Sequence, residues 1–291
     1  MQDNTMRLRD GRALGYSDYG SHDWVPIVLF HGTPGSRILG LEDDPLLERF
    51  GIRIVAPERP GYGLSDPSPA RTILDWADDV EQLADHLGLQ RFHVAGESGG
   101  GPYVLACACR LRDRVVSATL VGAACPPEVV RLTRDMSLGN RLGFFFIRHM
   151  PLLMKWACGS FADGIRKYPE KVMGRLLSKF CEWDKRVVQE QGRRALLTLH
   201  FQEAVRQGGD GFWVDSMLVG LPWGFDYTKV EIPVFLWHGE CDRQMPVAPA
   251  RRLAGILPRC EPHFLPGAGH LLLESDEMNR EIVARLLSVS A

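Results

Sequence analysis

Gly96-Glu97-Ser98-Gly99-Gly100 stands between an apolar run, Phe92–Ala95, and a stretch of helical character, Tyr103–Arg110. The pentapeptide fits G-x-S-x-G, a weak signal alone and an informative one between a strand and a helix. The glycines two residues either side of Ser98 have no Cβ, so strand and helix can close around a tight turn. That turn holds the serine at the carboxyl edge of a sheet. The N–H of Gly99 then opens the helix and points toward a forming oxyanion. Read as structure alone, the segment is a glycine-rich turn with a buried serine; its flanks favour a nucleophile.

The flanking sequence supplies a sheet. Residues 6–19 alternate about Asp10-Gly11, which predicts a β-hairpin. Val25–Phe30 and Ile52–Ala56 are short apolar runs without alternation, as in parallel strands covered on both faces. Asp75–Leu87 places Trp76, Val80, Leu83, Ala84 and Leu87 on one stripe and stops at Gly88, the pattern of an amphipathic helix. Val115–Val121 reads as a further strand, so the order strand, helix, strand predicts a mostly parallel α/β sheet. Pro126-Pro127 ends that rhythm. Residues 128 to about 225 hold helical stretches and no convincing strand; Ile232–Trp237 and Pro262–Leu265 resume as strands, and Glu277–Val289 closes as a helix. The expected organisation is a discontinuous α/β domain, 1–125 plus 229–291, with an all-helical insertion at 126–228.

Composition narrows the function. The 291 residues are 45% hydrophobic and 24% charged, as in ordinary globular proteins. Lys and Arg number 34 against 36 Asp and Glu, so the basic footprint of a nucleic-acid binder is missing. The longest runs without Asp, Glu, Lys or Arg, Trp24–Ser36 and Val115–Pro127, are too short to span a bilayer. The 7 cysteines have no zinc-type spacing, and Met1–Asp10 has no leader pattern, so free thiols and a cytoplasmic location are expected. No metal-binding or phosphate-binding constellation occurs, so no cofactor is expected, and the partner is a small molecule.

A serine hydroxyl needs a base within hydrogen-bond reach. Of 9 histidines, most fall within strand, helix or insertion sequence. His270 instead follows the last strand in Pro266-Gly267-Ala268-Gly269-His270, a loop able to aim an imidazole over the sheet edge. The base needs a carboxylate in turn. The loop after Val115–Val121 has none, whereas His238-Gly239-Glu240-Cys241-Asp242 offers two, giving the order serine, acid, histidine.

Together, His31-Gly32-Thr33-Pro34-Gly35, Arg59-Pro60-Gly61-Tyr62-Gly63-Leu64-Ser65, Gly96–Gly100, His238–Asp242 and Pro266–His270 resemble the α/β-hydrolase fold superfamily, of the cap-bearing type. The resemblance runs from about residue 10 to the end, apart from the insertion. It implies Asp242 as the acid in preference to Glu240, and Thr33 N–H as the second oxyanion donor beside Gly99. Chemistry agrees on Thr33, since Pro34 has no N–H to give. Arg59–Ser65 resembles a structural loop, and Glu97 is expected to point into the domain and order the elbow. Haloalkane dehalogenases and soluble epoxide hydrolases use an aspartate nucleophile where this chain has Ser98, which disfavours both activities. The His-Gly-x-Pro-Gly loop resembles that of proline iminopeptidases, typically with Gly where Thr33 stands. The resemblance implies a serine hydrolase acting on a small to medium, largely apolar carboxylic ester. Amide, iminopeptide or carbon–carbon bond cleavage is the alternative, and a slow-turnover ligand receptor the rival from another class. The insertion is the expected lid; its Phe144, Phe145, Phe146 and Trp156 are candidate substrate contacts that would serve equally as cap core.

Overall fold

The alternation about Asp10-Gly11 does fold as a hairpin. In a computed structural model describing residues 3–39, 45–130, 138–190 and 192–289, β1 (Asn4–Arg7) pairs antiparallel with β2 (Ala13–Tyr19). The apolar runs become β3 (Val25–Phe30), β4 (Ile52–Pro57), β5 (Phe92–Glu97), β6 (Val115–Val121), β7 (Val234–Gly239) and β8 (Cys260–Leu265). All lie in one eight-stranded sheet of order β1-β2-β4-β3-β5-β6-β7-β8, parallel from β4 to β8. Every residue of β4, β6 and β7 is buried, which explains their lack of alternation. The edges differ from the centre: β1 has four residues of alternating exposure, and β8 carries Pro262.

Strand order reverses between β3 and β5, because β4 lies on the far side of β3. Phe30 pairs with Gly96 across this switch, so the loop after β3 and the turn after β5 leave the sheet side by side. Such a crevice at the carboxyl ends of adjacent strands is where open α/β sheets place ligands.

Helices cover both faces. On one, α2 (Asp75–His86) buries Trp76, Val80, Leu83 and Ala84, as its periodicity predicts, and α3 (Gly101–Arg110) buries Tyr103 to Ala108. The Trp76 ring meets Phe30 and Tyr103 edge-on at centroid distances of 5.7 and 6.3 Å. On the other, α1 (Pro45–Phe50) and α11 (Asp276–Leu286) cover Ile27, Ile54 and Ala95. With α10 (Val247–Ala254), α1 is absent from the sequence reading: six and eight residues give too few turns for a periodic signal.

Between β6 and β7 the described residues form only helices: α4 (Leu138–His149), α5 (Pro151–Lys167), α6 (Pro169–Leu177), α7 (Glu182–Gln189), α8 (Arg193–Ala204) and α9 (Asp210–Gly220). Residues 131–137 and 191 of the expected insertion lie outside the described residues. The segment has a core of its own around Ile165, Met173, Val188 and Leu197. Its ends do not: Val129, Val219, Trp223 and Tyr227 belong to the main core beneath the sheet. All seven cysteines are free thiols.

Replacing Trp76 with Ala removes a fully buried indole that touches β3 and α3 at once. Urea unfolding should show a loss of about 3–5 kcal/mol with the fold retained.

Candidate active site

β5 ends at Glu97, a single 3-10 turn covers Ser98–Gly100, and α3 begins at Gly101. Ser98 has φ 48, the one non-glycine in the left-handed region among the described residues. A side chain held there is strained and persists only because its surroundings over-determine it. A Cβ at Gly96 would stand 2.7 Å from Val104 Cγ2, so the strand–helix approach admits no other residue. A Cβ at Gly99 would stand 2.2 Å from Thr33 Oγ1 and 3.1 Å from Thr33 N. The Thr33 and Gly99 amides therefore lie close together beside Ser98, and Ala124 N–H holds the Ser98 carbonyl at 2.8 Å.

His270 and Asp242 meet across the ends of β7 and β8. His270 Nδ1–H donates to Asp242 Oδ2 at 2.7 Å, which leaves Nε2 as the ring's other nitrogen. Asp242 is buried, and its Oδ1 accepts from the N–H groups of Gln244 (2.7 Å) and Met245 (2.9 Å). Glu240 lies outside this arrangement, paired on the surface with Arg251. Burial pulls the His270 pKa down, but the charge and hydrogen bond of Asp242 outweigh it and lift it above the ordinary imidazole value. Asp184 on α7 adds to that lift. Its Oδ1 accepts Leu271 N–H at 2.9 Å, and Gly269 packs against the carboxylate so closely that a Cβ would clash. Asp184 thus fixes the backbone on both sides of His270.

The loop after β3 is held from behind. Arg59 donates to the carbonyls of His31 (2.6 Å) and Gly32 (2.8 Å) and, from Nη2, to Thr33 Oγ1 (3.2 Å). With the carbonyls drawn toward the guanidinium, the loop's amides face the elbow, and Gly32 N–H donates to Glu97 Oε1 at 3.2 Å. Arg59 in turn pairs with Asp215 on α9 at 2.8 Å, both fully buried. Asp215 also accepts from Thr33 Oγ1 (2.6 Å), Tyr62 OH (3.1 Å), Arg71 Nη2 (3.0 Å) and Tyr103 OH. Burial alone would raise the Asp215 pKa; Arg59 and Arg71 reverse that and hold it well below the usual carboxylate range.

The residues singled out from the sequence thus separate into two sets. Ser98, Gly99 and Thr33 converge at one switch point, and Asp242 binds His270. The aromatic candidates disperse. Phe144 packs against a small gap with Ala123, Cys125 and Met245, whereas Phe145 and Trp156 are 47% and 69% exposed. Within α4 Phe145 meets Phe146 edge-on and His149 at a tilt. Of the four, Phe144 is the one beside residues that follow β6 and β7. Asp215, Arg71, Tyr103 and Asp184 escaped the sequence reading. Asp215 left one trace, as the only charge between Gly211 and Trp223, an isolated acid in an apolar helix. Among the described residues no group of three or more His, Cys, Asp or Glu side chains is placed to hold a metal ion. No helix among them is long and apolar enough to cross a membrane.

Comparison with known proteins bears on the family and the fold. The model of the alpha/beta hydrolase family matches residues 27–285. A non-heme chloroperoxidase of Streptomyces lividans is 33% identical over 44% of this chain, a match that spans less than half (46%) of that relative. A bifunctional esterase/perhydrolase of Acinetobacter calcoaceticus is 25% identical over 96% of this chain and 98% of its own length. Among solved structures, a thermophilic esterase from Thermogutta terrifontis superposes with a TM-score of 0.70 at 21% identity, covering 99% of this chain and 98% of that one. At that identity the likeness concerns the fold.

Replacing Asp215 with Asn keeps the volume and leaves Arg59 and Arg71 buried without a counter-charge. Denaturant unfolding should show a loss of about 3–5 kcal/mol. Arg71→Met, which leaves Asp215 still paired with Arg59, should be the milder change.

Proposed function

The chain belongs to the alpha/beta hydrolase family, and from that premise we propose that it is a serine hydrolase cleaving carboxylic esters through an acyl-enzyme. The observation that carries this reading is the 2.7 Å hydrogen bond from His270 to buried Asp242, beside a strand–helix elbow that holds Ser98 at φ 48 in the same sheet. In the proposed mechanism His270 Nε2 takes the Ser98 proton as Oγ attacks the ester carbonyl. Asp242 fixes the imidazole tautomer and stabilises the imidazolium. The N–H groups of Thr33 and Gly99 receive the developing oxyanion. His270 then protonates the departing alcohol, and water enters by the same route in reverse.

Residues 126–228 act in this reading as the helical cap, and the small to medium, largely apolar substrate lies between cap and elbow. An ester is preferred because relatives along the full length include an esterase. The seven free thiols fit a reducing compartment, the cytoplasm.

A fluorophosphonate probe should label Ser98 alone, read by intact-mass spectrometry and peptide mapping; labelling elsewhere, or none on folded protein, rejects the mechanism. Asp242→Asn should lower kcat/KM on an ester by about 10³–10⁴-fold, and Glu240→Gln should leave it near wild type. If Glu240→Gln is the more damaging change, the acid is misassigned.

The neutral imidazole is the base, and Asp242 favours the charged form. The rate should therefore rise with pH through a midpoint above the usual imidazole value of about 6.5. In the residual activity of Asp242→Asn that midpoint should move down. A kcat/KM that rises as the pH is lowered contradicts a histidine base.

A further inference from the structure

A cavity lies between the sheet and α11. Its volume is about 440 Å³, within the range of small-molecule sites, and Ser98 is not among its described lining residues. Ile27, Leu29 and Ile54 of the sheet, Leu39, Leu197 of α8 and Leu286 of α11 give it apolar walls. Glu97 and Glu274 bring carboxyl groups into this surface, together with the imidazoles of His31 and His200.

These polar groups are not equivalent. Both ring nitrogens of His31 are engaged, Nδ1 with the Gly32 carbonyl (2.8 Å) and Nε2 with Arg59 N–H (3.1 Å). Those of His200 are engaged with Ile38 O (3.0 Å) and Ser36 N–H (3.3 Å). Burial holds both rings neutral, with pKa values below the ordinary one. Arg193 at the rim is matched by Glu190 (2.9 Å) and by Asp276. Among the described residues the Glu97 carboxyl has one hydrogen-bond partner, Gly32 N–H at 3.2 Å. The Glu274 carboxyl makes no hydrogen bond among the described residues; its one ion pair there, with Arg193 Nη1, is long at 3.9 Å, and Arg193 is shared with Glu190 and Asp276.

Among the described residues the lining is therefore mostly apolar, with more acidic than basic groups, and its one cation, Arg193, is already shared among three carboxylates. Two carboxyls with unfilled acceptor positions call for an N–H donor carrying positive charge. An alcohol supplies one proton and no charge, and a carboxylate meets repulsion. We propose that this cavity binds a hydrophobic ammonium ligand, a primary or secondary amine on an apolar chain, with its N–H groups on Glu97 and Glu274. Burial and the neighbouring Glu97 push Glu274 up to about 7, the strain that a bound cation relieves. Glu97 also accepts the N–H next to Thr33, so the ligand shares an acceptor with the loop beside Ser98. The proposal stands independently of the role given to Ser98.

Calorimetric titration of the full chain with hexylammonium and with 1-hexanol tests it. Hexylammonium should bind one to one and at least tenfold more tightly than hexanol, gaining about fourfold per methylene from butyl to hexyl. Glu274→Gln should remove the preference for the amine, and Leu196→Trp, which narrows the cavity, should abolish binding in protein that still melts cooperatively. Protein labelled at Ser98 should bind as before. The proposal is overturned by equal affinity for hexanol, by no saturable binding, or by an unchanged preference in Glu274→Gln. Undiminished binding to folded Leu196→Trp, or loss of binding on Ser98 labelling, moves the ligand elsewhere and overturns it as well.

Discussion

Everything around Ser98 depends on one buried ion pair, Arg59 with Asp215. Two charges withdrawn from water are stable only when every lone pair and proton finds a partner. That requirement organises the region. Asp215 collects two guanidinium groups and three hydroxyls, from Thr33, Tyr62 and Tyr103, and those groups come from the loop after β3, the loop after β4 and α3. Arg59 completes its own donors on the carbonyls of His31 and Gly32. The direction in which the loop's amides face is thereby a by-product of satisfying a buried cation. The same pair ties α9 of the helical segment to the sheet, so the loop after β3 and that helix share one fastening.

A second electrostatic motif balances the first. His270 lies in the combined field of Asp242, Asp184 and Glu97, three carboxyl groups from three parts of the chain, and only Asp242 is bonded to it. The others act through space and through the backbone. Asp184 grips the chain at Gly269 and Leu271, and Glu97 reaches the Gly32 amide on the opposite wall. The backbone that carries the imidazole is thus held by a carboxylate on a helix that no local pattern links to the last loop.

The sheet was legible because its strands are short, apolar and bounded by glycine and proline, and the parallel order followed from alternating helices. Ser98, Asp242 and His270 stood out as candidates because each sits in a loop just after a strand, where chain order and motif coincide. The acid needed more: residues alone left Glu240 open, the family pattern favoured Asp242, and the structure puts Glu240 on the surface with Arg251. Asp215 and Asp184 could not be read, since their partners lie 156 residues (Arg59) and 87 residues (Leu271) away and their meaning exists only after folding. The aromatic run 144–146 misled in part. Apolar bulk on a helix says that something is covered or touched, and α4 turns Phe144 inward and Phe145 outward.

The two borders of the sheet have a consequence for life at high concentration. A strand with an open row of amides is a template on which another chain can grow. Here β1 offers four residues, half of them exposed and one of them Arg7, while β8 interrupts its row with Pro262, which has no N–H to give. Glu261 of β8 pairs with Arg285 of α11, which adds charge to the α11 face of this edge strand. A largely apolar sheet interior therefore ends on both sides in sequence that resists edge-to-edge growth, so crowding alone gives it little foothold for aggregation.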